Sequence, residues 1–301
     1  VSTGLNAFII ILTVLNIVGA CWLMIAMRKR NPGETGPSTE TTGHVWDGDL
    51  GELNNPLPRW WLWGFFISVA FSIGYLYLYP GLGSYAGSLG WTSTNQHTEI
   101  ELQAEAQAQQ VLAHFKGKSI EQLVTDPEAR TVGRNLFANN CAVCHGSDAH
   151  GNTGFPNLTD KDWLWGGAPE QVEATITGGR NAVMIAWQAV LGDQGIDNAA
   201  AYVLSLSGRK APAGNVAEGK TIFMTTCLAC HGEDGRGNQV LGAPNLTDNI
   251  WLYGGSFDTV RATIANGRQG QMPAQGERLG ADRVRLLAAY VLSLGNEPDA
   301  H

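Results

Sequence analysis

The chain has 301 residues, with 27 acidic and 19 basic side chains, and its net charge of −8 argues against a nucleic-acid partner. Five cysteines are too few for a disulfide scaffold, and the 38 glycines follow no Gly-x-y period, which excludes a collagen-like chain. With 44% apolar residues the length accommodates about two globular domains.

The first element is a run without charge, "LNAFIIILTVLNIVGACWLMIAM", from Leu5 to Met27. It is long enough to cross a bilayer. A cleaved signal peptide would carry basic residues before a shorter apolar core, whereas here Arg28, Lys29 and Arg30 follow it. Residues 1–30 are therefore assigned to a first transmembrane helix. Residues 31–58 are rich in Gly, Pro, Thr and Asn and predict a loop with little regular structure. A second span, within 59–80, runs from Trp60 to Tyr79 and groups Trp60, Trp61 and Trp63 at one end and Tyr75, Tyr77 and Tyr79 at the other, as interfacial belts do. Pro80-Gly81 stops it. The connection 28–59 holds Arg28, Lys29, Arg30 and Arg59, so positive residues place it in the cytoplasm and both termini outside. In a bacterium that is the inner membrane with a periplasmic C-terminal part. Residues 81–127 form a periplasmic connector that includes a polar helix near 98–116.

The remainder repeats itself, as residues 128–208 and 209–301. "NLTDKDWLWGG" at 157–167 returns at 245–255, "ATITGGRNAVM" at 174–184 returns at 262–272, and "AYVLSL" at 201–206 returns at 289–294. Each repeat reads as helical, with a methionine-bearing loop, and the fold class is all-α: two transmembrane helices followed by two tandem small domains, each with its own core. Gly133, Phe137 and Cys141, like Gly219, Phe223 and Cys227, are spaced by four and share one helix face.

The chemistry lies in two Cys-x-x-Cys-His motifs, Cys141, Cys144 and His145, then Cys227, Cys230 and His231. A histidine directly after the second cysteine favours covalent haem c over zinc or a redox dithiol. Cysteines three apart on one turn can form two thioethers, and the next residue presents its imidazole to the iron. One all-thiolate zinc site pooling the four cysteines would leave both histidines without a role. For the sixth ligand, Met184 and Met272 occupy one register of the two repeats. They are expected to complete the sites as His145/Met184 and His231/Met272, with His150 the competing ligand in the first. With both axial positions filled, the irons relay electrons and leave no open site for bond chemistry. Arg180 and Arg268, four residues before each methionine, are candidates for haem propionates against a solvated surface role. Trp163 and Trp251 are candidates for a place near a haem against a role in core and turn.

Each repeat resembles a small monohaem cytochrome c domain of the mitochondrial type. The resemblance rests on the Gly-x-x-x-Phe-x-x-x-Cys helix, the Cys-x-x-Cys-His motif, a following Pro-Asn-Leu, the methionine loop and a last helix bearing Tyr202 or Tyr290. It implies that the carbonyls of Pro156 and Pro244 accept a hydrogen bond from the ligand histidines. It also implies contacts of Gly133 with Tyr202 and of Gly219 with Tyr290. The whole chain, with its topology and the "NNPLPRWW" lead-in to the second span, is similar to the dihaem subunit family of cbb3-type cytochrome c oxidases. That similarity implies a membrane-anchored electron-transfer subunit with two covalent haems c, not itself catalytic. Electrons would come from soluble cytochrome c and pass through a monohaem cytochrome c subunit to a haem-copper catalytic subunit, since no histidine lies in either span here. The alternative is a free-standing membrane dihaem carrier serving a periplasmic reductase or dehydrogenase.

Overall fold

A computed structural model of the chain describes residues 2–27, 41–53 and 58–295. The chain divides near residue 107 into two compact units.

The first unit is built on α1 (Thr3–Met27) and α2 (Arg59–Leu78). Both are long and apolar enough to cross a membrane, with mean hydropathies of 2.5 and 1.6, and neither is buried against protein in its apolar stretch. The Asn6 side-chain oxygen accepts a hydrogen bond from the Ser84 N–H at 2.7 Å, so the start of α1 lies beside the segment that follows α2. Helix α2 gives way at Tyr79, whose ring stacks on Tyr75 and meets Trp91 edge-on. Where the sequence predicts an irregular loop, β1 (Thr41–Trp46) and β2 (Leu50–Leu53) form an antiparallel hairpin. Asp47 and Gly48 turn it in the left-handed region, a conformation that Asp-Gly favours. His44 stacks on Trp46 two residues along, on the same strand face. The basic cluster Arg28, Lys29 and Arg30, and the first four residues of "NNPLPRWW", lie outside the described residues.

The second unit holds both repeats. Helix α3 (Ser93–Ala113) leads in, and its last turn buries Leu112. Helix α4 (Ile120–Thr125) starts at a capping box between Ser119 and Gln122. Helix α5 (Pro127–Asn140) starts at Asp126, whose carboxylate accepts from the N–H groups of Glu128 and Ala129, with proline in the first turn. The first repeat continues through α6 (Ala142–His145), α7 (Pro169–Gly178), β3 (Arg180–Met184) and α8 (Gln188–Leu206). The second has α9 (Val216–Ile222), a π turn at Phe223–Cys227, α10 (Leu228–His231), α11 (Phe257–Asn266), β4 (Arg268–Met272), α12 (Gly276–Leu279) and α13 (Ala281–Leu294). The methionine segments, read as loops in the sequence, are therefore short strands, and they pair with each other antiparallel.

Neither core stays within one repeat. The first joins Ala129 and Phe137 of α5 and Val172 and Ile176 of α7 to Val284, Leu286, Leu287 and Val291 of α13. The second joins Ile196, Ala200, Tyr202 and Leu204 of α8 to Phe223, Val260 and Ile264 of the second repeat. The expected contacts of Gly133 with Tyr202 and of Gly219 with Tyr290 are accordingly replaced. A Cβ on Gly133 would lie 2.6 Å from that of Tyr290, and one on Gly219 2.0 Å from the Asn198 carbonyl oxygen and 2.8 Å from the Cβ of Tyr202. Phe137 packs on Tyr290 and Phe223 on Tyr202, with ring centroids 5.5 and 5.2 Å apart. The last helices are thus exchanged between repeats. Helices α8 and α9 are consecutive and joined by the short 207–215 connection, and consecutive elements pack most readily on each other. Polar contacts follow the same crossing. Arg261 of α11 pairs with Asp197 of α8 at 2.6 Å, Arg278 of α12 donates to Asn140 of α5 at 2.8 Å, and the buried Asn198 bridges Glu218 and the Asn215 N–H.

The exchange makes each repeat incomplete. Four large apolar side chains of α13 bury themselves on the first repeat, each contributing about 1.5–3 kcal/mol. Together they match the whole stability of a typical domain, about 5–15 kcal/mol. Residues 128–208 expressed alone should therefore show no protected amides in hydrogen exchange, whereas residues 108–301 with haem attached should protect α5, α8, α9 and α13 together.

Candidate haem sites

Each motif sits at the end of a helix whose buried face aims it at a core. In the first, Phe137 is 2% exposed and Cys141, one turn further, packs against the same core. The His145 N–H bonds back to the Cys141 carbonyl at 3.0 Å, which closes the turn that brings the two cysteines and the histidine together. The second motif repeats this arrangement after the π turn, with Cys227 against the other core and His231 buried. The four motif cysteines form no disulfide and do not converge: among the described residues no group of three or more Cys, His, Asp or Glu side chains could hold a metal ion. Burial pushes the Cys141 thiol up, and the Cys227 thiol up to about 11.

Both histidines are oriented by a backbone carbonyl. His145 Nδ1 lies 3.0 Å from the Pro156 oxygen, and His231 Nδ1 lies 3.2 Å from that of Pro244. With Nδ1–H donating, Nε2 carries the lone pair and is free for iron. Burial holds His231 below the ordinary imidazole range, with the Pro244 bond pulling the other way. His150 is outside this arrangement: its ring is mostly exposed and rests 3.4 Å from the Asp148 carboxylate.

The methionines cross over with the last helices. Met272 packs against the core that holds Cys141, and Met184 against the core that holds Cys227. Reciprocal backbone bonds fasten the segments that follow them: Trp187 N–H to Ile264 O at 3.1 Å, and Gln275 N–H to Ile176 O at 3.0 Å. In the β3–β4 register, Arg180 stands opposite Met272 and Met184 opposite Arg268. The guanidinium of Arg180 lies 5.0 Å from the Trp165 ring and bonds Thr175, while that of Arg268 lies 4.4 Å from the Tyr253 ring and bonds Thr263. Each arginine is therefore held on its own repeat, beside the methionine of the other. Met224 packs against the second core.

Among the described residues, the Trp251 indole N–H is buried against the second core without a protein acceptor. A buried donor left unpaired is costly, so this site fits a group that brings its own acceptor oxygens, as haem does with its carboxylates. Free cysteine pairs, a histidine held by Nδ1 and a soft thioether in each pocket complete a donor set suited to haem c.

Two apolar membrane helices joined to a pair of interlocked, mostly helical haem pockets define a membrane-anchored dihaem cytochrome c. Family models agree: "Cytochrome C oxidase, cbb3-type, subunit III" matches residues 128–203 and 214–291, and "N-terminal domain of cytochrome oxidase-cbb3, FixP" matches residues 38–86. The chain belongs to the cbb3-type cytochrome c oxidase subunit III family and carries two covalently bound haems c as an electron-transfer subunit. It is 47% identical over 296 residues to the cbb3-type cytochrome c oxidase subunit CcoP of Rubrivivax gelatinosus, covering 97% of this chain and 95% of that protein. It is 44% identical to subunit FixP of Azorhizobium caulinodans (87% of this chain, 94% of that protein) and 42% identical to CcoP of Cereibacter sphaeroides (89% and 97%).

The Trp251 N–H supplies a test of the fit. Trp251→Phe removes a donor that the protein leaves unpaired. If haem oxygens accept from it, the holoprotein loses about 1.5–3 kcal/mol, the worth of a hydrogen bond to a charged group, in chemical unfolding followed at the Soret band. An indole that stays unpaired in the holoprotein would instead make the substitution neutral or stabilising.

Proposed function

We propose that the two haems are attached through Cys141 and Cys144 and through Cys227 and Cys230, and that their axial ligands are crossed: His145 with Met272, and His231 with Met184. The packing of each methionine against the core that also receives the other repeat's motif cysteine carries this reading. It replaces the same-repeat pairs expected from sequence, His145/Met184 and His231/Met272. The bound haem supplies a one-electron couple. The chain's residues do the rest. Pro156 and Pro244 fix the imidazoles and increase their basicity. The thioethers favour the reduced iron. Arg180 and Arg268 place positive charge beside each pocket for haem carboxylates. With both axial positions filled, the chain transfers electrons and leaves oxygen reduction to another subunit.

In this reading the haem unit faces the periplasm, because the basic residues Arg28, Lys29, Arg30 and Arg59 hold the 28–59 connection in the cytoplasm. The Asn6–Ser84 bond, which brings the outer ends of the two spans together, is consistent with that hairpin. Electrons arrive from a soluble cytochrome c and leave through a monohaem subunit to the haem-copper subunit of the oxidase. The relatives are named as subunits of such an oxidase, which favours this over a free-standing carrier. Co-purification with a copper and b-type haem subunit after mild detergent extraction tests it, and isolation of the chain alone would oppose it.

Crossed ligation has a direct test. Cys144→Ala leaves the first haem with one thioether and a free vinyl group, whose conjugation red-shifts its α-band and marks it. In that background Met272→His should lower the potential of the marked haem, and Met184→His that of the unmarked one, because nitrogen favours the oxidised iron over thioether sulfur. Same-repeat ligation gives the reverse assignment.

Residues 81–301 carry 15 basic and 22 acidic side chains, a net −7. An acidic surface speeds encounter with a basic donor, screened over about 8 Å at physiological salt. Stopped-flow reduction by a basic cytochrome c should slow as salt rises in its bimolecular rate and not in turnover at saturating donor, whereas an acidic donor should show a flat or rising rate.

A further inference from the structure

The β3–β4 ribbon joins the two haem pockets, and its residues alternate between two faces. Arg180, Ala182 and Met184 stand opposite Met272, Gly270 and Arg268 in turn. Opposed residues of an antiparallel pair point the same way, and every second residue returns to the same face. These six therefore share one face, and it is the half-buried one, while Asn181, Val183, Gln269 and Gln271 are exposed. Met272 reaches one core from this face and Met184 reaches the other. Both pockets consequently open on the same side of the ribbon, from its two ends, and the centre between them carries only Ala182 and Gly270.

The glycine has no reason in the protein itself. Its φ lies outside the left-handed region, and an added Cβ would meet a single atom, the Tyr253 hydroxyl oxygen, at an ordinary 3.7 Å. Glycine within a strand weakens it through backbone entropy and lost packing. A position where the backbone does not require glycine, the neighbours leave room, and stability disfavours it is one where something outside the chain approaches closely. Both pockets hold haem, so the approaching group is the prosthetic group itself.

We propose that Ala182 and Gly270 are positioning residues that set the gap between the two haems, by adding almost no side chain of the ribbon's own at its centre, so that electrons cross directly from one to the other. The step moves one electron: one iron goes from ferrous to ferric, the other from ferric to ferrous, and no bond or proton changes. Electron tunnelling falls exponentially with the gap, so even a small group inserted here reduces the rate. The proposal rests on the crossed ligation above, whose own failure is read separately by the marked-haem potentials.

The test uses the full-length holoprotein with the first haem marked by Cys144→Ala. One electron is injected photochemically, and its redistribution between the haems is followed in the two α-bands. Gly270→Ala and Gly270→Val should slow redistribution progressively, severalfold for valine, with both methionine–iron charge-transfer bands retained. Gln269→Val, on the exposed face of the same strand, should leave the rate unchanged. A Gly270→Val protein with both bands and an unaltered rate overturns the proposal, as does equal slowing by Gln269→Val. If Gly270→Val loses a charge-transfer band, Gly270→Ala decides: slowing supports the proposal and an unaltered rate overturns it.

Discussion

The architecture depends on two helix crossings in which backbone meets backbone. Gly133 and Gly219 leave no room for a Cβ against α13 and α8, and the tyrosines on those helices pack at a tilt on Phe137 and Phe223. A crossing this close fixes where a last helix sits and therefore where the preceding strand must run. Because α8 lies on α9 and α13 on α5, β3 and β4 are carried past each other and pair along their length. The ribbon, the exchanged methionines and the shared cores are all consequences of that one packing choice.

For electron transfer the exchange has a specific use. Two independent cytochrome domains on a linker would sample many separations, and their rate of mutual electron transfer would follow the closest encounters. Here each pocket is walled by elements of both repeats and the pair is stapled by reciprocal backbone bonds, so the spacing between the cofactors is a property of the fold. Each core is completed by residues of the other repeat, and the buried Trp251 N–H has no acceptor from the protein among the described residues. The arginines keep to their own repeats, so each pocket combines a charge from one repeat with a thioether from the other.

The anchor shows how local signals and context divide the work. The two spans were legible from the length of their uncharged runs and the aromatic clusters at the ends of the second. The β1–β2 hairpin between them was not, because Gly, Pro and Thr dominate its surroundings and mask a short Val-Trp-Asp-Gly-Asp-Leu signal. The strands at Met184 and Met272 escaped for a related reason. Five residues with an arginine, a methionine and small or polar positions between them carry no period-two pattern of their own, and each becomes a strand only because its partner is brought alongside.

By itself the sequence determined the chemistry. Cys-x-x-Cys-His twice, the repeat register that singles out Met184 and Met272, and the spacing that lines glycine, phenylalanine and cysteine along one helix face are local patterns, and local geometry is enough to read them, while the carbonyls of Pro156 and Pro244 were expected only from the resemblance to cytochrome c domains. Tertiary structure alone decided which partner each half takes. The last helices end in the same "AYVLSL", and both motif helices present a glycine and a phenylalanine at the same spacing, so these apolar patterns do not distinguish one pairing from the other. Polar pairs such as Arg261–Asp197 and Asn198–Glu218 form only once the exchanged pairing is made. The choice falls to chain connectivity, through the short link that folds α8 back onto α9 and leaves α13 to close the other core.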